Sequence, residues 1–107
     1  MAAAAALLSV PEKTVLERIR RGGLLGVRLE DGAYHLLRWQ FEVGGVVPGL
    51  GRVLRAIPVR NAWTRLGDLL EPLAGLEGSP TLLDLLKRGE SDYAVELAGR
   101  LHETGGL

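Results

Sequence analysis

The chain has 107 residues, of which 47% are hydrophobic and 24% are charged, and its formal net charge is zero. This composition is that of a folded globular protein and excludes wholesale disorder. The absence of cysteine from the sequence excludes disulfides, thiolate catalysis and Cys-ligated zinc.

The charged side chains are divided unequally along the chain. Residues 1–60 carry nine basic and five acidic side chains, whereas residues 61–107 carry four basic and eight acidic ones. A basic front half and an acidic back half indicate two different kinds of partner. The alternatives are that the two halves simply attract each other or that the uneven division arises by chance.

The first ten residues are apolar and rich in alanine. They lack the basic start of a secretory signal peptide, so we interpret them as part of a short first helix. No apolar run in the chain approaches the length that is needed to span a membrane. We therefore predict a cytoplasmic protein, in agreement with the lack of cysteine.

Two helices are predicted at the start of the chain. They cover residues 2–8 and 12–21 and are separated by a turn at residues 9–11. Apolar side chains of the second helix recur on one face, and charged ones occupy the rest. The pair Gly22-Gly23 ends this helix.

A β-hairpin is predicted next. The β-prone runs 27–30 and 33–36 flank Asp31-Gly32, a pair that is typical of a two-residue hairpin turn. The stretch from residue 44 to residue 51, which is rich in glycine, is predicted to be irregular.

A third and a fourth helix follow the irregular stretch. An apolar stripe with the spacing i, i+3, i+4 and i+7 begins at Leu50 and predicts a helix that Pro58 ends. Asn61 is a suitable N-cap for the fourth helix, which closes near Pro72. We predict that Trp63 lies in the core, because a buried tryptophan is the commoner case in a short helix of this kind.

The last two predicted helices are rich in leucine and in alanine, respectively. Ser79 or Thr81 caps the fifth helix, Gly89 ends it, and Ser91 caps the sixth. Four leucines of the fifth helix cannot all face one core, so this helix is either buried on several sides or partly in contact with a partner. These leucines are Leu82, Leu83, Leu85 and Leu86.

Together these elements predict a mainly α protein. A small helix-turn-helix with a β-hairpin wing occupies residues 1–43, and a compact helical domain occupies residues 44–107. The boundary is placed where the glycine-rich stretch separates the hairpin from the later helices.

No group of residues in the sequence has the pattern of a catalytic, metal or nucleotide site. The two histidines, His35 and His102, are far apart, and the three serines stand at turn or cap positions. The glycines between residues 44 and 51 follow neither the GxGxxG nor the GxxxxGK[ST] pattern. We therefore predict that the chain is not an enzyme and binds no cofactor or metal.

The order helix, turn, basic helix and hairpin is typical of a winged helix-turn-helix. In that fold the second helix enters the major groove of DNA and the wing touches backbone phosphates. The alternative is an ordinary solvated helix, since Glu12 and Glu17 would repel phosphate. The candidate DNA-binding residues are Lys13, Thr14, Glu17, Arg18 and Arg21 on the helix and Arg28, Tyr34, His35 and Arg38 on the wing.

Several short motifs resemble those of known proteins in their order and spacing. Residues 5–15 (AALLSVPEKTV) resemble the AAxLLGVSRxTV opening of excisionase-like helix-turn-helix modules, and residues 20–28 (RRGGLLGVR) resemble their RxGxLLAVR. Four later segments are similar to motifs of the Xre/MbcA/ParS antitoxin family. They are WQF at 39–41, VVPGL at 46–50, AW at 62–63 and LDLLKRGE at 83–90.

The resemblance implies a type II antitoxin. The front module would bind operator DNA and repress its own operon, and the helical domain would bind and block a toxin, usually a RES-type toxin that degrades NAD. It also implies a homodimer. The alternative is a stand-alone helix-turn-helix transcriptional regulator whose helical half mediates dimerisation. The positions that match the partner-binding segment of the family are Leu83, Leu86, Lys87, Arg88, Gly89 and Glu90.

Overall fold

A computed structural model describes residues 2–36, 38–42 and 45–101 of the chain. Within these ranges the protein is mainly helical and has two small antiparallel sheets. Its helices are α1 (Ala2–Leu8), α2 (Glu12–Arg20), α3 (Leu50–Ala56), α4 (Ala62–Leu70), α5 (Leu82–Lys87) and α6 (Ser91–Arg100). None of the described helices has the length and apolar character that crossing a membrane requires.

The strands form two separate pairs. β1 (Gly26–Arg28) lies antiparallel to β2 (Tyr34–Leu36), and a short 3-10 helix (Arg38–Gln40) follows. β3 (Phe41–Glu42) then pairs with β4 (Gly45–Val46). This second pair falls partly in the stretch predicted to be irregular, and two ladder positions are too few for a sequence pattern to reveal.

The first helix ends in a hydrogen-bonded turn with an unusual residue at its centre. The N–H groups of Ser9 and Val10 donate to the carbonyls of Ala6 and Ala5 at 3.3 and 3.1 Å. Ser9 has a φ of +56°, in the left-handed region that glycine occupies at most such helix ends. The turn reverses the chain, so that α1 packs against α2.

The predicted end of the second helix at Gly22-Gly23 is confirmed. Gly22 has a φ of +80°. The N–H of Gly22 donates to the Ile19 carbonyl at 3.1 Å, and that of Gly23 donates to the Arg18 carbonyl at 2.8 Å. These two bonds form a Schellman motif, which satisfies carbonyls that the end of the helix leaves without partners.

The predicted hairpin is confirmed, but its two-residue turn is wrong. The Gly32 N–H donates to the Leu29 carbonyl at 2.9 Å, and the Leu29 N–H donates to the Ala33 carbonyl at 3.3 Å. The loop therefore contains three residues and ends with Gly32 at a φ of +76°. The Asp31 carboxylate accepts the Ala33 N–H at 2.9 Å, and this local bond favours the longer turn.

A buried glutamine joins the 3-10 helix to the chain before β1. Gln40 is 2% exposed. Its Oε1 accepts the Leu25 N–H at 2.6 Å, and its Nε2 donates to the Leu25 carbonyl at 2.7 Å. The Gln40 carbonyl also accepts the Val47 N–H at 2.8 Å. Gln40 thus joins the segment after the hairpin both to Leu25, which precedes β1, and to Val47, which follows β4.

The predicted caps of α4 and α5 are confirmed, and one cap is wrong. Asn61 Oδ1 accepts the Thr64 N–H at 3.1 Å at the start of α4. Of the two candidates for α5, Thr81 is the N-cap. Ser91 is already the first residue of α6, and Glu90 occupies the N-cap without a side-chain hydrogen bond. A helix boundary displaced by one residue changes which side chain can cap it.

A single hydrophobic core contains residues from both sides of the predicted boundary at residues 43 and 44. Val15 of α2 and Leu24 lie in the same cluster as Val53 and Leu54 of α3 and the buried side chains of α5 and α6. All four leucines of α5 are buried, so this helix is covered on several sides. The alternative that its leucines are exposed for a partner does not hold in this structure.

The prediction that Trp63 lies in the core is wrong. Its side chain is 54% exposed, near the N-terminus of α4. Leu69 is the most deeply buried apolar residue of α4, and Trp63 lies about 120° around the helix from it. Trp63 therefore lies beyond the edge of the core.

Candidate functional site

Helix α2 presents a charged face away from the core. Val15 is completely buried, whereas Lys13, Glu17 and Arg20 are exposed. The spacing i, i+4, i+7 places these three side chains in one outward stripe. Of the other predicted DNA-binding residues of this helix, Thr14 and Arg18 are half-buried and Arg21 is exposed. Thr14, Arg18 and Arg21 share an edge of the helix, again with the spacing i, i+4, i+7.

A groove runs between α2 and the β1–β2 hairpin. One wall consists of Glu12, Leu16 and Arg20, which follow each other at intervals of four residues. The other wall contains Arg28 and Tyr34, with Gly32 and Ala33 of the turn. The groove therefore brings two predicted wing residues together with the second helix. It also adds Arg20, which is not among the predicted DNA-binding residues although the sequence shows its spacing from Glu12 and Leu16.

Arg28 and Tyr34 are partners across the two strands. They are opposite each other in the register, and the Arg28 guanidinium carbon lies 5.0 Å from the centre of the Tyr34 ring. This cation–π contact holds the guanidinium beside the groove. The N–H donors in the guanidinium plane remain suited to an anion such as phosphate.

The other two predicted wing residues lie elsewhere. His35 and Arg38 line a second depression, beside Leu7 of α1 and Phe41. Neighbouring residues of a strand point to opposite faces, so Tyr34 and His35 cannot both face α2. The structure thus divides the nine candidates into a main group around α2 and a separate pair beside α1.

His35 is held by the acidic residue of the hairpin turn. Its Nε2 lies 3.1 Å from Asp31 Oδ2. The Ala33 N–H that donates to Asp31 lowers the pKa of that carboxyl, and the hydrogen bond with His35 lowers it further. Both side chains are about half exposed, so this pair contributes little to stability.

The cations around α2 form a positive surface and make no ion pair with a carboxylate of the described residues. We call this set the α2 basic surface. It contains residues of α2, the C-cap residue of α2 and one residue of β1. Its members are Lys13, Arg18, Arg20, Arg21 and Arg28. None of them lies within ion-pairing distance of a carboxylate of the described residues. Glu12 and Glu17 reduce the local potential but do not neutralise it.

The predicted partner-binding segment is partly buried. Leu83 and Leu86 are only 7% and 3% exposed and belong to the core. The remaining four positions are exposed and form the corner at which α5 meets α6. We call them the α5–α6 turn: Lys87, Arg88, Gly89 and Glu90.

The shape of the α5–α6 turn is set by its own backbone. Gly89 has a φ of +82°, which confirms the predicted helix end. The N–H groups of Gly89 and Glu90 donate to the carbonyls of Leu86 and Leu85 at 3.0 and 2.9 Å. The same Schellman motif that ends α2 therefore presents these charged side chains in a defined arrangement.

The described residues contain no group of three or more His, Asp or Glu side chains that are placed to hold a metal ion. His102, the second histidine, lies outside the described residues. Within them, the charged features that stand out are the α2 basic surface and the α5–α6 turn. A comparison of the chain with protein-family models, curated proteins and solved structures finds no match.

Proposed function

We propose that this chain is a type II antitoxin. It binds operator DNA through α2 and the β1–β2 hairpin, and it neutralises a toxin through the α5–α6 turn. The observation that carries the proposal is the groove that Arg20 of α2 and Arg28 of the hairpin both line; Glu12 lines it too, but neither arginine forms an ion pair with a carboxylate of the described residues.

The geometry of that groove supports the DNA-binding part of the proposal. A helix that enters the major groove lies beside the sugar-phosphate backbone, and a hairpin next to it reaches the same strand. Arg20 and Arg28 are suited to bind a phosphate from the two sides, since a guanidinium offers several donors in a fixed plane. Lys13 and Glu17, on the outward stripe of α2, would then face the bases.

The toxin-binding part rests on the motif resemblance and on exposure. The segment LDLLKRGE at residues 83–90 resembles the partner-binding segment of the Xre/MbcA/ParS family. Its leucines hold α5 in the core, and its charged end is exposed. A RES-type toxin that degrades NAD is the partner that the resemblance implies, with the antitoxin acting as a homodimer.

A stand-alone transcriptional regulator is the second candidate. The α2 basic surface alone favours it, because DNA binding requires no toxin. In that case the helical half would serve dimerisation only, and the protein encoded next to this chain would neither bind it nor arrest growth.

Two double variants with complementary expectations test the proposal. Lys87→Glu/Arg88→Glu changes exposed charges of the α5–α6 turn, and Lys13→Glu/Arg20→Glu changes exposed charges of α2. The neighbouring open reading frame is co-expressed with each, and growth, co-purification and binding to the upstream DNA are measured. We expect the first variant to lose the toxin complex but keep DNA binding, and the second to show the reverse.

Each outcome bears on one part of the proposal. A toxin complex that survives Lys87→Glu/Arg88→Glu would show that the contact lies elsewhere. A neighbour that neither arrests growth nor co-purifies would support the stand-alone regulator. A substitution such as Leu83→Asp is unsuitable for this purpose, because a buried carboxylate would disrupt the core and not only the contact.

A further inference from the structure

The C-terminal end of α2 is packed directly on α3. A Cβ placed on Gly51 of α3 would lie 3.4 Å from the Cα of Gly23. A Cβ placed on Gly22 would lie 3.1 Å from the Cγ of Arg55. Glycines on both sides therefore allow the two backbones to approach closely. As a result, the position of Arg55 relative to α2 is set by backbone packing.

The guanidinium of Arg55 lies over Gly51 of its own helix, and Arg55 as a whole is an exposed residue. A Cβ on Gly51 would lie 3.2 Å from both terminal guanidinium nitrogens of Arg55. Within the described part of the chain, no carboxylate lies within ion-pairing distance of Arg55. Its aliphatic stem covers Gly22, the residue that follows Arg21 of the α2 basic surface.

Capping of α2 does not account for this arginine. The carbonyls of Glu17, Arg18 and Ile19 already accept the N–H groups of residues 21 to 24. The helix dipole favours a cation at this end, but Arg18, Arg20 and Arg21 already supply positive charge there. Arg55 thus adds a further cation, from a different element, to a place that is already positive.

We propose that Arg55 is a contact to a DNA backbone phosphate and continues the α2 basic surface onto α3. The inference rests on the proposed DNA binding, and it extends the DNA-binding surface beyond the helix-turn-helix and hairpin into the helical half. A phosphate at this point accepts the planar N–H donors of the Arg55 guanidinium and is attracted by the positive charge of the neighbouring α2 basic surface. The contact carries no base specificity.

The test is the salt dependence of DNA binding by Arg55→Gln. Glutamine keeps the Cγ that packs on Gly22 and removes the charge. Fluorescence anisotropy with a labelled duplex of the DNA upstream of the gene gives log K against log salt. We expect the slope to fall by about 1. The loss of affinity should be similar on an unrelated duplex, because a phosphate contact does not read sequence.

Matched variants separate the inference from the function on which it rests. Arg60→Gln removes another exposed arginine of the helical half and should leave the slope unchanged. Arg20→Gln should lower the slope, because Arg20 belongs to the proposed groove. If Arg20→Gln lowers the slope and Arg55→Gln does not, the DNA-binding proposal stands and the role of Arg55 is wrong.

Two further outcomes overturn the inference. An unaltered protein that does not bind the duplex at low salt removes both the proposed DNA binding and the role of Arg55. A lower thermal midpoint of Arg55→Gln, with weaker binding at an unchanged slope, would mean that Arg55 acts only in packing α3 on Gly22.

Discussion

Among the described residues, Gln40 and Asp68 are polar and buried, and the hydrogen bonds of Gln40 hold the backbone that precedes β1 in place. Its amide faces the N–H and the carbonyl of Leu25 in the same way as a neighbouring strand would. Leu25 is itself only 4% exposed, so water does not replace these bonds easily. The amide therefore takes the place of a backbone partner in a chain that has very short strands.

Replacement of Gln40 by leucine tests this role. We expect Gln40→Leu to lower the free energy of unfolding by about 1–3 kcal/mol for each Leu25 backbone group that loses its partner. Urea denaturation measures the change, with Trp39→Phe as a control at the exposed neighbouring position. A loss below about 0.5 kcal/mol, the range of ordinary surface substitutions, would contradict the role.

Ser9 occupies a backbone conformation that is costly for any residue with a Cβ. The left-handed region costs an L-residue about 1–2 kcal/mol, and Ser9 is exposed at a φ of +56°. We expect Ser9→Gly to raise the free energy of unfolding by up to about 1 kcal/mol, after the greater freedom of glycine in the unfolded chain is subtracted. Thermal unfolding measures this change in the free energy of unfolding.

Ser91→Gly is the matched control for Ser9→Gly. Ser91 is the first residue of α6, where the backbone is helical and open to any residue, so we expect Ser91→Gly to bring no gain in stability. A thermal midpoint that both substitutions lower would show that backbone strain at Ser9 does not limit the stability of the folded state.

At the scale of elements, α5 is a helix of six residues that depends on its cap. Thr81 Oγ1 accepts the Asp84 N–H at 3.0 Å, and the Thr81 N–H donates to Asp84 Oδ2 at 2.9 Å. This reciprocal capping box satisfies two backbone donors at the start of a helix too short to be stable alone. Burial of its four leucines supplies the remaining stability.

The capping box makes the stability of the protein depend on pH. The hydrogen bond from the Thr81 N–H lowers the pKa of Asp84 below its ordinary value of 3.8, and the nearby Arg88 and Lys87 lower it further. A lowered pKa means that the ionised carboxylate stabilises the folded state above 3.8. This stabilisation is lost as the pH falls below 3.8 and through the folded pKa.

Asp84→Asn removes this titration. We expect the variant to be less stable than the unaltered protein at neutral pH, and the difference to shrink as the pH falls below 3.8. Urea unfolding at a series of pH values gives both curves. A difference that stays constant across the series would show that the charge of Asp84 is not involved.

At the scale of the whole molecule, the two halves share one core. Leu24 and Val15 of the front half pack in the same cluster as Leu54 and Leu82 of the back half. Helix α3 contacts the end of α2 through Gly51. Gly49, the N-cap of α3, contacts the corner between α5 and α6. We therefore expect the two halves to unfold as one cooperative unit.

The two tryptophans allow a test of cooperativity. Trp39 lies in the front half and Trp63 in the back half, and both are about half exposed. Trp39→Phe and Trp63→Phe leave one fluorescent reporter in each half. For each variant, we expect the unfolding transition reported by the remaining tryptophan to coincide with the transition reported by circular dichroism. Separate transitions would mean that the halves are independent domains with a boundary near residue 43.

Helix ends were predictable because they depend on a few neighbouring residues. Gly22, Asn61, Thr81 and Gly89 act through bonds to residues within five positions of the chain, and the sequence contains all of that information. The hairpin was found for the same reason. The wrong cap at Ser91 and the wrong turn length are errors of one residue, where competing local bonds decide.

The sequence by itself thus determined the helices, the hairpin and the basic character of the front half, because these follow from local bonding and composition. Only the tertiary structure decided which cations meet. It placed Arg20 and Arg28 along one groove, moved His35 and Arg38 to another surface, and brought the stem of Arg55 to the end of α2. It also buried Leu83 and Leu86 and exposed Trp63. These outcomes depend on packing between residues far apart in the chain, and no pattern within a single helix contains them.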